Sequence, residues 1–371
     1  MQNSYNSPGA FLLQASILDE IVGSQAAQLV IDELGLAMAT HLGSKRDRNE
    51  DRIAVARIAA PNIETYTVAL VCDGVGGSES GDQAAAIVIT SIIADLAQQQ
   101  ERPSLEELAV ALVRRADDLV RKKLQGRGAT TLVMLLATAS GYLVCANVGD
   151  SRAYNWDPGS NKLNQVTIDD TIENELKDLP GNPAALIMAR GLQGRLSQAI
   201  GESGRTADEL RIQTYTKERF RFGAVLGSDG LWRAAKDFET AVASATTPTD
   251  AVRRAIALAN WVGGVDNASL IAVGDVERLC GDRQAQDSSG RRQTEITLWT
   301  PLAKIKLFAS DWIDEAKSAE MCGKPEKPKR NVKKKPRKTI RESQLELETV
   351  DFKEARPKIE VTINEELKKS E

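Results

Sequence analysis

Residues 70–77 decide the fold, and they read Leu70-Val71-Cys72-Asp73-Gly74-Val75-Gly76-Gly77. An apolar run typical of a buried strand ends in a single aspartate, and a glycine-rich turn follows. The Asp73 carboxylate would therefore stand at a fixed strand end, and Gly74 would let another group approach its backbone closely. A dinucleotide-binding loop needs glycine where Glu79 stands, and the Gly-Lys-Ser/Thr of a Walker loop is absent. Taken alone, Asp-Gly-x-Gly-Gly is most often a turn.

Composition narrows the class of protein. The chain has 371 residues, of which 42% are hydrophobic, which is enough for a sizeable core, and its net charge of −4 does not indicate a nucleic-acid binder. Four cysteines without CxxC spacing are typical of buried thiols in a reducing compartment. The single histidine, His41, argues against a zinc site and most catalytic triads, and an ordinary strand histidine explains it better. With no basic residue before Lys45 and no spanning apolar run, we expect a cytoplasmic protein without a membrane segment.

Hydrophobic periodicity predicts an α+β fold. Two successive helices, residues 82–100 and a second that starts at Ser104 with a capping box to Glu107, are followed by closely spaced strands. This order favours antiparallel sheets with segregated helices over alternating βαβ units. The remaining predicted strands cover residues 36–42, 53–58, 66–72, 130–138, 142–148, 151–156, 210–216, 223–227 and 269–273, the later helices cover 237–245 and 250–261, and residues 168–195 are predicted to form a mobile surface flap.

Three regions are predicted along the chain. Residues 1–35 form an N-terminal extension, for which the spacing from Leu18 to Leu34 predicts a leader helix, and residues 36–280 form the main domain. Residues 281–371 form a C-terminal tail, in which the spacing from Leu302 to Ala316 predicts one amphipathic helix. The basic run at 324–338 is expected to be disordered; a solvated linker explains it better than a site for nucleic acid or an acidic partner.

Five acidic clusters lie where strands are predicted to begin or end. Each has a plain explanation on its own: a solvated loop, a hairpin turn or an Asx turn. Together they offer hard oxygen ligands of the kind that suits Mg²⁺ or Mn²⁺, and two ions about 3.5–4 Å apart can activate water and clamp a phosphoryl group. Asp73 is best placed to bridge such ions, and Arg46 offers a guanidinium fork for phosphate oxygens. The clusters are Arg46 with Glu50 and Asp51; Asp73-Gly74; Asp150 in 149–152; Asp229 in 227–232; and Asp266-Asn267.

The ordered set of motifs resembles a known family, the metal-dependent protein phosphatases of type 2C, and its bacterial members most. The resemblance covers roughly residues 36–275. The motifs are Arg46-Asp47-Arg48-Asn49-Glu50-Asp51, Asp73-Gly74-Val75-Gly76-Gly77, Gly128-Ala129-Thr130-Thr131, Gly149-Asp150-Ser151-Arg152, Leu196-Ser197-Gln198-Ala199-Ile200-Gly201, Ser228-Asp229-Gly230-Leu231-Trp232 and Asp266-Asn267.

The resemblance implies a two-layer antiparallel β-sandwich flanked by paired helices, a four-layer αββα arrangement. It implies Mn²⁺ or Mg²⁺ as cofactor, with direct attack of a metal-bound water on phosphoserine or phosphothreonine and no phosphoenzyme. The implied partner is a phosphorylated protein, the substrate of a cognate Ser/Thr kinase. The implied roles are Asp73 bridging two ions, Glu50 and the Gly74 carbonyl on one, Asp229 and Asp266 on the other, Asp150 with Asp229 for a third ion, Arg46 on the substrate phosphate, Asp51 behind the ligands and Asn267 orienting Asp266.

Two departures from the family pattern stand out. Val75 occupies the position of a histidine that many eukaryotic members have, so the leaving-group proton must come from water or elsewhere. Thr167-Ile168-Asp169-Asp170 replaces the family's usual Asp-His pair at the entry to the flap. Two alternatives stay open: a phosphatase-like module that binds phosphoproteins without turnover, and an enzyme dedicated to one regulatory protein.

Overall fold

A computed structural model describes residues 8–60, 64–75, 80–177, 184, 187–188, 190–233, 235–281, 293–308 and 360–362. The helices are α1 Pro8–Leu18, α2 Gly81–Ala97, α3 Leu105–Leu124, α4 Ile172–Leu176, α5 Phe238–Ala243, α6 Pro248–Trp261 and α7 Glu277–Cys280. The strands are β1 Ala26–Ile31, β2 Leu36–His41, β3 Arg52–Ala59, β4 Tyr66–Cys72, β5 Leu132–Thr138, β6 Leu143–Val148, β7 Arg152–Asp157, β8 Lys162–Gln165, β9 Gln213–Thr216, β10 Gly223–Gly227, β11 Ala268–Val273, β12 Glu295–Trp299, β13 Lys304–Phe308 and β14 Glu360–Thr362.

Two antiparallel sheets pack face to face. One has the order β1-β2-β11-β10-β7-β8 and the other β14-β13-β12-β3-β4-β5-β6-β9. Strand β4 is buried along its whole length because both of its faces are covered. Val68 and Leu70 pack toward α2 and α3, whereas Ala69 and Val71 face the other sheet. This alternation follows from the two-residue period of a strand, and it explains why the sequence shows an uninterrupted apolar run.

Helices cover the outer face of each sheet. Leu108 and Leu112 of α3 pack with α2 against the larger sheet. Phe238 of α5 and Val252 of α6 pack against the smaller sheet, next to Trp156. The helices and sheets thus form the four layers αββα, which confirms the α+β class predicted from the hydrophobic periodicity and the arrangement that the resemblance implies. The predicted capping box at the start of α3 is also confirmed, since Ser104 and Glu107 cap each other reciprocally.

Two predictions at the chain ends were wrong. Ala26–Ile31 is an edge strand that pairs with β2, not part of a leader helix; the helix present there ends at Leu18. Lys304–Phe308 is a strand paired with β12, not the start of an amphipathic helix. In both segments the apolar side chains fit a period of two as well as a helical period, and an available sheet edge decided between them. The sheets therefore contain strands from outside residues 36–280.

Other predicted features lie outside the described residues. These are Gly76 and Gly77, residues 309–316 of the predicted tail helix and the basic run 324–338. Across the described residues, we find no helix with the length and apolarity needed to cross a bilayer.

Candidate active site

The strand register brings all five acidic clusters to one end of the sandwich. Cys72, at the end of β4, pairs with Arg52 at the start of β3, so Asp73 lies beside Glu50 and Asp51. In the other sheet, Gly227 at the end of β10 pairs with both Arg152 and Leu270. Asp229, Asp150 and Asp266 therefore extend from adjacent strand ends. Antiparallel pairing makes this possible, because the end of each strand lies next to the start of its neighbour.

Asp73 is fixed through its backbone. Its N–H donates to Thr131 Oγ1 at 3.1 Å, and its carbonyl accepts from Thr131 N at 2.9 Å and from Thr130 Oγ1 at 2.8 Å. Thr131 Oγ1 in turn lies 2.6 Å from Ser151 Oγ. The side-chain carboxylate is left free of these contacts and reaches the other sheet, where Asp229 N lies 3.4 Å from Asp73 Oδ2. The Thr130-Thr131 pair thus holds Asp73 at the centre of the cluster.

Gly74 lies where three backbone segments meet. A Cβ atom added there would stand 2.6 Å from the Gly81 carbonyl carbon and 2.9 Å from the Glu50 carbonyl oxygen. Any larger residue would push α2 or the Glu50 loop away. The close approach expected of Gly74 is therefore present, and it serves the backbone beside Asp73.

Asp51 is buried behind Asp73 and held from the other sheet. Its Oδ2 accepts from Ser228 Oγ at 2.7 Å, and Ser228 Oγ also accepts from Ser269 N at 2.9 Å. Its Oδ1 is buried without a hydrogen-bond partner. A buried carboxylate oxygen without a donor is costly unless a cation or a proton reaches it.

Asn267 secures the loop that carries Glu50. Its Oδ1 accepts from Glu50 N at 2.8 Å, and its Nδ2 donates to the Leu42 carbonyl at 2.8 Å. The role implied for Asn267 was to orient Asp266, and its backbone N–H does donate to Asp266 Oδ1 at 2.8 Å. One residue therefore ties Asp266 and the Glu50 loop together.

Burial and mutual repulsion raise the pKa values of the clustered acids. Burial raises the pKa of Asp73 well above its usual range, and the charges of Asp51, Asp229, Asp150 and Asp266 raise it further. Burial likewise raises the pKa of Asp229 to about 7 and that of Asp51 to about 6. Like charges this close favour either protonation or bound cations.

Arginines provide the positive charge at this end of the sandwich. Arg46 Nη2 lies 2.7 Å from Asp266 Oδ2, and Arg48 Nη2 lies 2.6 Å from Glu50 Oε1. Arg233 contacts both Asp150 and Asp229. With the acids turned to these partners, no three carboxylate, thiol or imidazole side chains of the described segments form a set that would hold an ion as placed. Their chemistry nevertheless fits Mg²⁺ or Mn²⁺. All are hard oxygen donors, Glu50, Asp51 and Asp150 are buried, the charges around Asp73 repel one another, and Asp51 Oδ1 lacks a donor.

Several residues of the site were not predicted from the sequence. Ser228 belongs to a motif, but nothing in the sequence gives it a role of its own. The only sequence signal for Arg233 is its position four residues after Asp229, with which it pairs. Asp170 accepts from Gly149 N at 2.9 Å and from Gln198 Nε2 at 2.8 Å, so it holds the turn that carries Asp150. The divergent entry to the flap is therefore tied to the site by Asp170.

His41, by contrast, accepts a hydrogen bond from Gly43 N at the end of β2, as expected of a strand histidine.

Comparison with known proteins assigns the family. The family described as protein phosphatase 2C matches residues 40–262. The chain belongs to the protein phosphatase 2C family. The resemblance inferred from the motifs is thereby confirmed, as is the expected enzyme class of protein-serine/threonine phosphatases. Asp266 and Asn267 lie just beyond the matched residues.

Individual relatives agree with this assignment. The serine/threonine phosphatases stp of Listeria welshimeri and of Listeria monocytogenes serovar 1/2a are each 26% identical over 248 residues, covering 63% of this chain and 93% of theirs. Among solved structures, serine/threonine phosphatase Stp1 of Staphylococcus aureus has a TM-score of 0.53 at 22% identity, covering 64% of this chain and 94% of its own. The S. agalactiae serine/threonine phosphatase has a TM-score of 0.52 at 22% identity, over 64% of this chain and 97% of its own. At these identities the two structures support the fold alone.

Proposed function

We propose that this protein 2C phosphatase hydrolyses phosphoserine and phosphothreonine in proteins at a centre of two divalent ions, Mn²⁺ or Mg²⁺. The observation that carries the proposal is the convergence of five acidic loops, drawn from both sheets, around Asp73. Such a concentration of buried negative charge is unfavourable unless cations offset it. The family and the names of its Listeria relatives supply the substrate class.

The proposed ligands are those that the resemblance to the family implies. Asp73 would bridge the two ions, with Glu50 and the Gly74 carbonyl on one side and Asp229 and Asp266 on the other. When bound, the ions would supply Lewis-acid stabilisation of the phosphate and water activated at neutral pH. Asp51, held by Ser228 behind Asp73, would keep the bridging carboxylate in place.

Arg46 is the proposed phosphate-binding group. Its side chain is 37% exposed and lies against Asp266, at the rim of the acidic cluster. A guanidinium in this place can give two parallel hydrogen bonds to phosphate oxygens while Asp266 turns to an ion. Val75 has no ionisable group, so it cannot protonate the leaving serine or threonine oxygen.

The test is metal-dependent hydrolysis of a phosphothreonine peptide. We expect Asp73→Asn and Asp229→Asn each to lower kcat/KM by at least about 100-fold. Each substitution removes a proposed metal ligand, and bound metal ions stabilise the charge of such a transition state by several kcal/mol. Asp208→Asn is the matched control, since that carboxylate is 92% exposed. Unchanged activity in either site variant would refute the proposal. Absence of both hydrolysis and Mn²⁺ binding in the unsubstituted protein would instead favour a phosphoprotein-binding module.

Partner and location stay predictions of the sequence. A cognate Ser/Thr kinase would produce the phosphoprotein, and an enzyme dedicated to one regulatory protein is an equally open version of the same activity. The cytoplasmic location is supported by Cys72, Cys145 and Cys280, which are buried free thiols. The predicted division into residues 1–35, 36–280 and 281–371 stays a proposal. It concerns only which residues carry the activity, namely 36–280.

A further inference from the structure

Arg233 joins three separate parts of the site. Its Nε lies 2.6 Å from Asp229 Oδ2, and its Nη2 lies 2.5 Å from Asp150 Oδ2. The same Nη2 donates to the Gly194 carbonyl at 2.8 Å. One guanidinium therefore links the loop after β10, the turn between β6 and β7, and the end of the segment predicted as a flap.

The two carboxylates depend on this guanidinium. The side chains of Asp150 and Asp229 are only 5% and 13% exposed, so little water reaches them. Removing one partner from a buried ion pair leaves an uncompensated charge, which is unfavourable.

The surrounding chain is shaped to admit the arginine. Gly194 has a φ of +61°, and a Cβ added there would stand 3.1 Å from Arg233 Nη1. The backbone beneath Arg233 is fixed as well, because Arg233 N donates to the Asp229 carbonyl at 3.0 Å. A rigid, planar fork with fixed donors suits two carboxylates better than a flexible amine does.

We propose that Arg233 is a resident cation that takes the place of a third divalent ion between Asp150 and Asp229. This inference rests on the proposed two-ion centre, because Asp229 would use one oxygen for an ion and the other for Arg233. While Arg233 is present, Asp150 binds the guanidinium and holds no ion. The carbonyl of Gly194 is tied to the same charge, so Arg233 also positions the end of the flap beside the centre.

The test counts bound ions rather than activity. Equilibrium dialysis with Mn²⁺, followed by elemental analysis, is done on the full chain and on Arg233→Gln, with Arg254→Gln as control because Arg254 pairs with Asp250 in α6, outside the site. We expect Arg233→Gln to bind one more Mn²⁺ per chain than the unsubstituted protein, and Arg254→Gln to bind the same number. Equal Mn²⁺ stoichiometry in all three proteins overturns the inference.

A second variant covers the case in which Arg233→Gln does not fold. Asp150→Asn is expected to retain the full number of bound Mn²⁺ ions, because Asp150 holds none while Arg233 is present. Loss of one ion in Asp150→Asn would show that a divalent ion displaces Arg233, which overturns the inference. If the unsubstituted protein binds no Mn²⁺, the proposed two-ion centre itself fails, and that result is distinct from either outcome for Arg233.

Discussion

Protonation of two carboxyl groups, Asp229 and Asp51, should make the stability of the protein depend on pH. Their pKa values of about 7 and about 6 lie above the ordinary value of 3.8 because both are buried among other acids. Between pH 4 and pH 7 the folded protein therefore holds protons that the unfolded chain releases. The free energy of unfolding of the metal-free protein should fall as pH rises through this window.

We predict that the metal-free protein is less stable at pH 8 than at pH 5, by roughly 1.4 kcal/mol for each pH unit that separates pH 5 from the raised pKa of each carboxyl. Urea denaturation in EDTA at several pH values measures this. Asp229→Asn should flatten the dependence, whereas Asp208→Asn, an exposed carboxyl, should leave it unchanged. A metal-free stability that rises from pH 5 to pH 8 would contradict the raised pKa values.

The sequence identifies the acids of the site but not the side chains that donate hydrogen bonds to them. Asp73, Asp229 and Asp266 are visible because each stands beside a glycine or an asparagine at a strand end. The donors that hold the site come from distant segments: Ser228 reaches Asp51 across 177 positions, and Arg205 reaches Asp117 across 88. Such pairs follow from the packing of the two sheets and have no local signal.

Asp117, a buried acid of α3, connects this helix to residues 201 and 205 near the site. Asp117 is fully buried and accepts from Arg205 at 2.9 and 3.0 Å, from Arg121 at 3.1 Å and from Gly201 N at 2.8 Å. Gly201 follows Ile200, which bridges to Thr130 beside Asp73. Helix α3 thus supports the Thr130-Thr131 pair through this ion cluster.

Asp117→Asn should lower the free energy of unfolding by about 3–5 kcal/mol, because it leaves two guanidinium groups without their carboxylate. Urea denaturation measures the change. Asp208→Asn is the control: that side chain is 92% exposed and lies 4.0 Å from Arg114 on the surface, so we expect a change within about 0.5 kcal/mol. Equal effects from the two substitutions would show that α3 is not held through Asp117.

Helices and strands were predicted correctly where the apolar residues fit only one hydrophobic period, that of a strand or that of a helix. The bounds of β4 and β10 match the predicted strands, because both are short, apolar and bounded by turn residues. The prediction failed for β1 and β13, where short amphipathic segments fit both periods. Their state was decided by the free edges of β2 and β12, which are known only once the sheets exist.

The chain after Gly281 contributes strands β12 and β13 to the larger sheet of the sandwich. Strand β12 pairs with β3, and Trp299 is 3% exposed between the two sheets. Ile296 and Leu298 pack on the side of α1 and α2. The part of the tail that forms β12 and β13 therefore belongs to the folded body.

Trp299→Ala should lower the free energy of unfolding by about 3–5 kcal/mol, as expected when a large core side chain is removed. Leu302→Ala is the matched control in the β12–β13 turn, because Leu302 is 51% exposed. Thermal or urea denaturation distinguishes them. If Trp299→Ala is as stable as Leu302→Ala, the tail strands are not part of the cooperative unit.

The clustered acids come from both sheets, and this has a consequence for the lifetime of the protein. The end of the sandwich that carries Asp73 is electrostatically frustrated, because closing the layers brings like charges together. Ions that bind only the closed form stabilise it by mass action. The supply of divalent metal would thus govern how often the sandwich opens at that end, and so how readily a protease reaches the chain.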